Sequence, residues 1–556
     1  MIRTFTAPIT SAALAVALAL SLFASPALAD TLVDNVEGIT IDEEGEVKRF
    51  TGLIFDNQGT VTQILERGDP RPQTEYGVDG EGRFLLPGMI DGHVHVMGIG
   101  FGALTLDLAG TTSLEDALAK IAQFAKDNPG RPWILGRGWN QEKWGLGRFP
   151  TAAELDTAVS DRPVWLERAD SHANWANSMA IELAGVTGET PVPEGGEMIR
   201  DATGAPSGVF VDKAKDLINT IVPAPRPEDR DAAFAKAQEL LIAYGVTAVA
   251  DMGTSIEDWQ TFRRAGDVGA LKIRIMAYAN SLETMELIAG PAPTPWLYAD
   301  RLRLGGIKLY LDGALGSRGA VLKSPYADRP GVHGLPLLTG AQLRNLMSRA
   351  ALDRFQTAVH AIGDAANADV LSAIAELSET YKGDRRWRIE HAQIVDPMDI
   401  PGFGSHGIIA SMQPLHQTSD RLMAEARLGP NRLQGAYAWR SVLKAGGRLA
   451  FGSDAPVEPA DPFAGIAVAI SRTDANGEPF GGWWPSETVS REQALRAYTA
   501  DAAYAGFGEG RFGRLIPGER ADFLLVDRDL MLASPSDIRA TQISEVWIGG
   551  EKVLDR

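Results

Sequence analysis

The chain has 556 residues, 45% hydrophobic and 22% charged, a balance ordinary for a folded globular protein. A net charge of −19 argues against a nucleic-acid partner and against an anionic membrane surface. With no cysteine, disulfides, thiolate metal sites and cysteine nucleophiles are excluded, so any metal must be held by histidine, carboxylate or a modified residue.

Residues 1–29 read as a secretory leader. Arg3 gives a positive start, Ala12 to Phe23 is apolar, and Ala27-Leu28-Ala29 is a small-residue cleavage site before Asp30. A periplasmic or secreted protein is expected, without stable membrane insertion once the leader is removed. Residues 30–83 then carry short strands, Gly38 to Ile41, Lys48 to Phe55 and Val61 to Leu65, as the first part of a β-sandwich.

The run Phe84 to His95 is apolar and ends in His-x-His. Side chains two apart on a strand share a face, so His93 and His95 can reach one metal ion together. From about 125 to 235 the pattern is irregular and rich in Trp, Gly and Pro, which reads as an insertion after the first barrel strand. Its notable pieces are Gly136 to Trp144 and Arg168 to Trp175.

A regular alternation follows. A helical segment near Asp231 to Tyr244 leads into an apolar strand, Gly245 to Asp251. Further strands are read at Lys272 to Ala279, Leu302 to Leu311, Thr357 to Ile362, Arg388 to Val395, Ile408 to Gln413 and Arg448 to Ser453. Helical stretches such as Gly340 to Phe355 and Ala366 to Tyr381 separate several of them. Strands alternating with helices imply a parallel sheet, and eight of them suggest an α/β fold of the (β/α)₈ TIM-barrel type over 84–505. A doubly wound open sheet is the alternative. A helix from Ser490 to Ala503 opens on Ser-x-x-Gln, a capping box. In the tail, 506–556, Ala521 to Asp527 and Glu545 to Ile548 read as strands that rejoin the N-terminal ones in one composite sandwich.

In such a barrel the C-terminal strand ends hold the active site. At or near those ends stand His93, His95, Lys308, His360, His391 and Asp454. Any one of them alone reads as a core, edge or turn residue. Four of the chain's eight histidines at these ends point to a shared metal centre.

These pieces resemble the amidohydrolase superfamily, and more closely the family 3 group that includes N-substituted formamide deformylase. The resemblance rests on Pro87 to His95, Lys308 to Ala320, His360 to Asp364, Ile389 to Gln393 and Gly452 to Pro459, with Trp139 to Trp144 and Ser171 to Ser178 in the insertion. It implies that His93 and His95 bind a first metal and His360 and His391 a second. It implies that Lys308, carboxylated by CO₂, bridges two divalent ions; imidazole and carboxylate ligands suit zinc, with Mn²⁺, Fe²⁺ or Co²⁺ as alternatives. Asp454 would ligate the first and act as base and acid. The resemblance implies hydrolysis of an amide, N-acyl or N-formyl bond of a small molecule. An esterase or lactonase on the same centre, or a metal-binding protein without turnover, is the alternative. Heterocycle deaminases of the superfamily carry His-x-x-Glu on the fifth strand, whereas His360 is followed by Ala361, Ile362 and Gly363. Substrate contacts are expected from His172, Trp144, Trp175, Arg318 and His416. A homodimer is plausible from the resemblance alone.

Overall fold

The computed structural model describes residues 30–556, and the leader-like segment lies outside the described residues. Eight parallel strands form its centre. They are β1 (Met89–Val94), β2 (Val246–Thr254), β3 (Arg274–Ala279), β4 (Leu302–Tyr310), β5 (Gln356–Ala361), β6 (Arg388–His391), β7 (Ile409–Met412) and β8 (Arg448–Phe451). Each pairs with the next in chain order. Nearly every residue of these strands is buried, because helices cover the sheet outside and side chains fill it inside. Leu, Ile, Val and Ala runs satisfy both faces at once.

The sheet curls on itself rather than staying open. Beyond the end of β8 the chain meets β1 through a parallel bridge, Val94 to Ala455. There Asp454 N–H donates to the His93 carbonyl at 2.7 Å, and His95 N–H to the Ala455 carbonyl at 2.8 Å. Two glycines make this approach possible. A Cβ on Gly92 would stand 2.8 Å from the Phe451 carbonyl oxygen, and one on Gly452 would stand 2.5 Å from the His93 nitrogen. The glycines of the Asp-Gly-His and Gly-Ser-Asp pieces therefore close the barrel.

The expected first strand, Phe84 to His95, is two strands. Phe84–Pro87 pairs antiparallel with Phe523–Val526, and only Met89–Val94 enters the barrel. At the junction, Gly88 N–H donates to Asp522 and Met89 N–H to Gly245, so the chain changes sheets between adjacent residues. The N-terminal strands, Phe84–Pro87 and the C-terminal strands Phe523–Val526, Ile543–Ile548 and Glu551–Asp555 form one eight-stranded sheet. Phe55, Phe523 and Trp547 pack at its core, the last two stacked at 5.3 Å.

The stretch read as irregular is ordered. Six strands, from Leu106–Asp107 to Pro206–Asp212, make a separate mixed sheet. It starts and ends earlier than 125–235, because the helix Pro227–Ala243 packs on Val96–Leu104 beside the barrel. Glycines within the strands, such as Gly136 and Gly138, hide the period-two pattern. The single helix expected from Ser490 to Ala503 is also interrupted, into Arg491–Ala497 and Ala500–Ala505. The Tyr498 carbonyl turns away to accept Ile90 N–H at 2.7 Å, which pulls Thr499 out of helical geometry. The capping box of Ser490 and Gln493 is present. Among the described residues no helix is long and apolar enough to cross a membrane.

Candidate metal centre

The barrel brings the six strand-end residues into one cluster. β1 carries His93, and His95 follows as the chain turns into the helix Val96–Leu104. Lys308 comes from β4, His360 from β5, His391 from β6, and Asp454 from just past β8. Donor atoms of His93, His391 and Asp454 lie within 4.8 Å of one another, close enough to share one cation. His93 Nε2 is 3.2 Å from Lys308 Nζ and 3.4 Å from Asp454 Oδ1. His95 Nε2 is 3.1 Å from the same oxygen, and the His360 and His391 rings are 4.6 Å apart.

The polar partners of these groups fix which atom of each ring is free. His93 Nδ1 meets Glu390 at 2.6 Å, and Glu390 is clasped by Arg388 at 2.8 Å. His391 Nδ1 faces Gln413 Oε1 at 2.9 Å. Both rings therefore offer Nε2 to the cluster, and such outer contacts fix ring orientation in metal sites. Asp91 holds the barrel seam, accepting from Ser453 N–H at 2.9 Å and His93 N–H at 3.1 Å. Burial pushes its carboxyl up to about 7.

Burial also keeps the imidazoles neutral. It lowers His93 to about 4, helped by the charge of Lys308, and takes His360 and His391 well below the ordinary histidine range. It brings Lys308 down to about 8. Asp454 goes the other way: against burial, His93, His416 and His95 hold its carboxyl well below the usual range. Neutral imidazoles and an ionised carboxylate are the forms that ligate a divalent cation. His360 Nε2 is buried without a hydrogen-bond partner, 3.6 Å from Asp312. The donor set thus fits a metal, and it lacks the thiolates that would select softer sites.

Backbone strain gathers here too. His391 and Asp454 have φ of 72° and 60°, a region L-residues avoid. Each such residue costs on the order of 1 kcal/mol, and they concentrate at working sites.

Two arms of a cavity meet at the cluster, one of about 660 Å³ and one of about 380 Å³. His172, His360, His391 and Asp454 line both. His172 is bonded to Asp212 at 2.6 Å, and its ring is 5.4 Å from that of His360. Against burial, Asp212 raises its affinity for a proton. His416 reaches Asp454 Oδ2 at 3.3 Å and Glu458 at 3.7 Å, and these acids outweigh burial to push it up to about 10.

A profile of the amidohydrolase family matches residues 77–554, most of the chain. The chain belongs to that family. This amidohydrolase is 34% identical to the protein LONG AFTER FAR-RED 3 of Arabidopsis thaliana, over 85% of this chain and 82% of that one. It is 27% identical to an N-substituted formamide deformylase of Arthrobacter pascens, over 94% and 97%. A solved metal-dependent hydrolase of Pyrococcus horikoshii OT3 superposes with a TM-score of 0.73 at 25% identity, covering 91% of this chain and 99% of its own. The protein is a metal-dependent hydrolase of this family.

Three expected substrate contacts lie elsewhere in the amidohydrolase. Trp175 is fully buried in the insertion core, its indole N–H on the Thr151 carbonyl, and Trp144 packs beside it with its N–H on Thr111. Both turn inward because the insertion sheet needs its own apolar filling. Arg318 pairs with Asp328 at 2.8 Å and lines neither arm. Conversely, Arg388, Glu390 and Asp312 were not singled out from the sequence. Asp312 accepts N–H groups of Val321, Ile362 and Gly363 and pins the loop after β4. The signal for Arg388 and Glu390 was present: two opposite charges two apart in a buried strand are tolerable only if they pair.

Proposed function

We propose that this amidohydrolase cleaves the carbon–nitrogen bond of a small amide, an N-acyl or N-formyl compound. The observation that carries the reading is Asp454, whose one oxygen faces His93 and His95 and whose other faces His416, where two cavity arms meet. The similarity to a deformylase of N-substituted formamides supports the choice of bond.

His93, His95, Lys308, His360, His391 and Asp454 would hold two divalent ions, zinc by ligand type. Bound there, the ions would supply Lewis acidity toward a carbonyl and toward water. The remaining work belongs to side chains. Lys308, lowered by burial to about 8, is still mostly an ammonium near neutral pH but carries a far larger neutral fraction than an ordinary lysine, and the neutral amine is the form that takes up CO₂ to become a carbamate. The Asp454 carboxylate is ionised and so is ready to accept a proton from the attacking water and hand it to the departing nitrogen. His416, protonated beside it, steadies that carboxylate. One arm takes the acyl part and the other the amine part.

The test is turnover of matched amide and ester panels by wild-type and Asp454→Asn protein. Amide hydrolysis that falls about 10³-fold or more in the variant supports the reading. A fully active Asp454→Asn enzyme would sink the mechanism, and turnover confined to esters or lactones would reassign the bond.

A further inference from the structure

The Gly-Arg-Gly piece of the insertion places one cation in the larger arm without a partner. Arg137 lies on the insertion strand Ile134–Trp139 and lines that arm together with His95, His172, Lys308 and Asp454. Its Nε and Nη2 are buried and make no hydrogen bond among the described residues. A guanidinium stays charged at any working pH and carries five donors in a planar fork. Leaving such a group buried and unsatisfied is costly unless something completes it. The acids whose charge it feels, Glu167, Asp107 and Asp454, act through space.

The other arm shows what a completed arginine looks like here. Arg168 is closed by Asp170 and by Gln141 at 2.8 Å. Arg427 is held by Asp328 at 2.5 Å and Glu142 at 2.7 Å, with only its Nε left unpartnered. Arg137 is therefore unlike the arginines that the fold uses as struts.

Its position is also built. Gly102, on the helix Val96–Leu104, faces it, and a Cβ there would stand 2.8 Å from Arg137 Cδ. A Cβ on Gly136 would stand 2.6 Å from the Leu106 carbonyl oxygen, and one on Gly138 2.7 Å from the Ala109 nitrogen. The strand is pressed onto its neighbour through both glycines, and Arg137 is the one side chain the triplet carries. Phe101, Leu135, Pro225 and Leu337 give the same arm apolar wall.

We propose that Arg137 anchors a carboxylate of the substrate, so that the amides cleaved here carry a free carboxylate on the part lodged in the larger arm. This rests on the amide-hydrolase reading of the centre. One guanidinium in the field of nearby acids matches a monoanion better than a phosphate dianion, and its fork matches the two oxygens of a carboxylate.

The test uses two probe pairs: N-acetylphenylalanine against N-acetylphenylalaninamide, and N-benzylsuccinamic acid against N-benzylsuccinamide. The first pair puts the carboxylate on the amine part, the second on the acyl part. Wild-type protein should prefer the acid of one pair by ~30-fold or more in kcat/KM, the size of a buried charge-assisted pair. Arg137→Met should bring that ratio to about 1, and Arg137→Lys should recover part of it. No preference in the wild type for either pair, or a preference unchanged by Arg137→Met, overturns the proposal. If the wild type cleaves none of the four, calorimetry on the same probes tests the anchor apart from the amide reading. Acid binding that exceeds binding of its amide and is lost in Arg137→Met upholds the anchor, and equal or absent binding of both overturns it.

Discussion

The barrel mouth and the insertion core are both densely buried, and they use rare residues in opposite ways. At the mouth the buried groups are ionisable: His93, His360 and His391 converge with Lys308, Asp454, Glu390 and Arg388. In the insertion they are aromatic: buried Trp139 and Trp175 pack edge to face on each other, and half-buried Phe149 and Trp144 pack edge to face on Trp139 and Trp175 respectively. The first arrangement holds neutralised and strained groups in readiness for a cation. The second, together with aliphatic residues such as Ile134, Val164 and Leu166, offsets the entropy of ordering the insertion sheet. A change in one region should therefore be read out as chemistry, and in the other as stability.

The sharpest break in this comparison is metal removal. Stripping the protein with a chelator should abolish turnover and lower its melting temperature, and zinc should restore both, because a cation bound only by the folded state stabilises it. Tryptophan fluorescence from the insertion core should stay native at temperatures below the transition. A stripped protein with full activity would contradict the reading of the mouth.

Next is Glu390→Gln. It leaves Arg388 buried against a neutral partner and removes the acid from His93 Nδ1. We expect a loss of about 3–5 kcal/mol in unfolding free energy and a drop of about 10–100-fold in metal affinity. Trp175→Ala should cost a similar ~3–5 kcal/mol from its cavity with metal content per folded chain unchanged. Denaturant melts paired with metal analysis separate the two regions: equal metal loss in both variants would erase the distinction.

The mouth should also govern the pH dependence of the metal-free protein. His93, His360 and His391 have folded pKa values depressed below the unfolded value of about 6.5, His93 to about 4, by burial first of all. The unfolded chain then binds more protons, so their contribution is present above about 6.5 and is lost as pH falls toward 4. His416 and His172 are raised, so theirs is present below about 6.5 and lost as pH rises, for His416 through about 10. Asp91 and Asp312, raised by burial to about 7, act with the opposite sign between about pH 4 and 7. Chemical denaturation of the metal-free protein from pH 4 to 6.5 reads the net slope of stability against pH. His360→Asn should reduce that slope by about one proton.

The smallest effect is expected at Arg318. Its pair with Asp328 is partly exposed, so Arg318→Ala should cost under about 1 kcal/mol and shift kcat/KM less than about threefold. A large loss of kcat/KM would return Arg318 to the substrate site.

These residues also show what was legible before the structure. His93, Lys308, His360, His391 and Asp454 stood out because polar residues inside apolar strand runs need a common reason to be there. The barrel was legible for the related reason that strands buried on both faces lose the period-two alternation. The face of a tryptophan in the insertion was not legible, since it depends on a register that Gly136 and Gly138 obscure. Nor was the change of sheets at Gly88, which is decided by Asp522 and Gly245, distant in sequence. The unpaired state of Arg137 was invisible too, because only the fold reveals which acids fail to reach it.

The most direct test of the central claim is metal content of the purified protein, prepared with bicarbonate and without chelator. About two zinc-like ions per chain are expected, falling sharply in Lys308→Ala. About one ion per chain, indifferent to Lys308, would contradict the bridged pair.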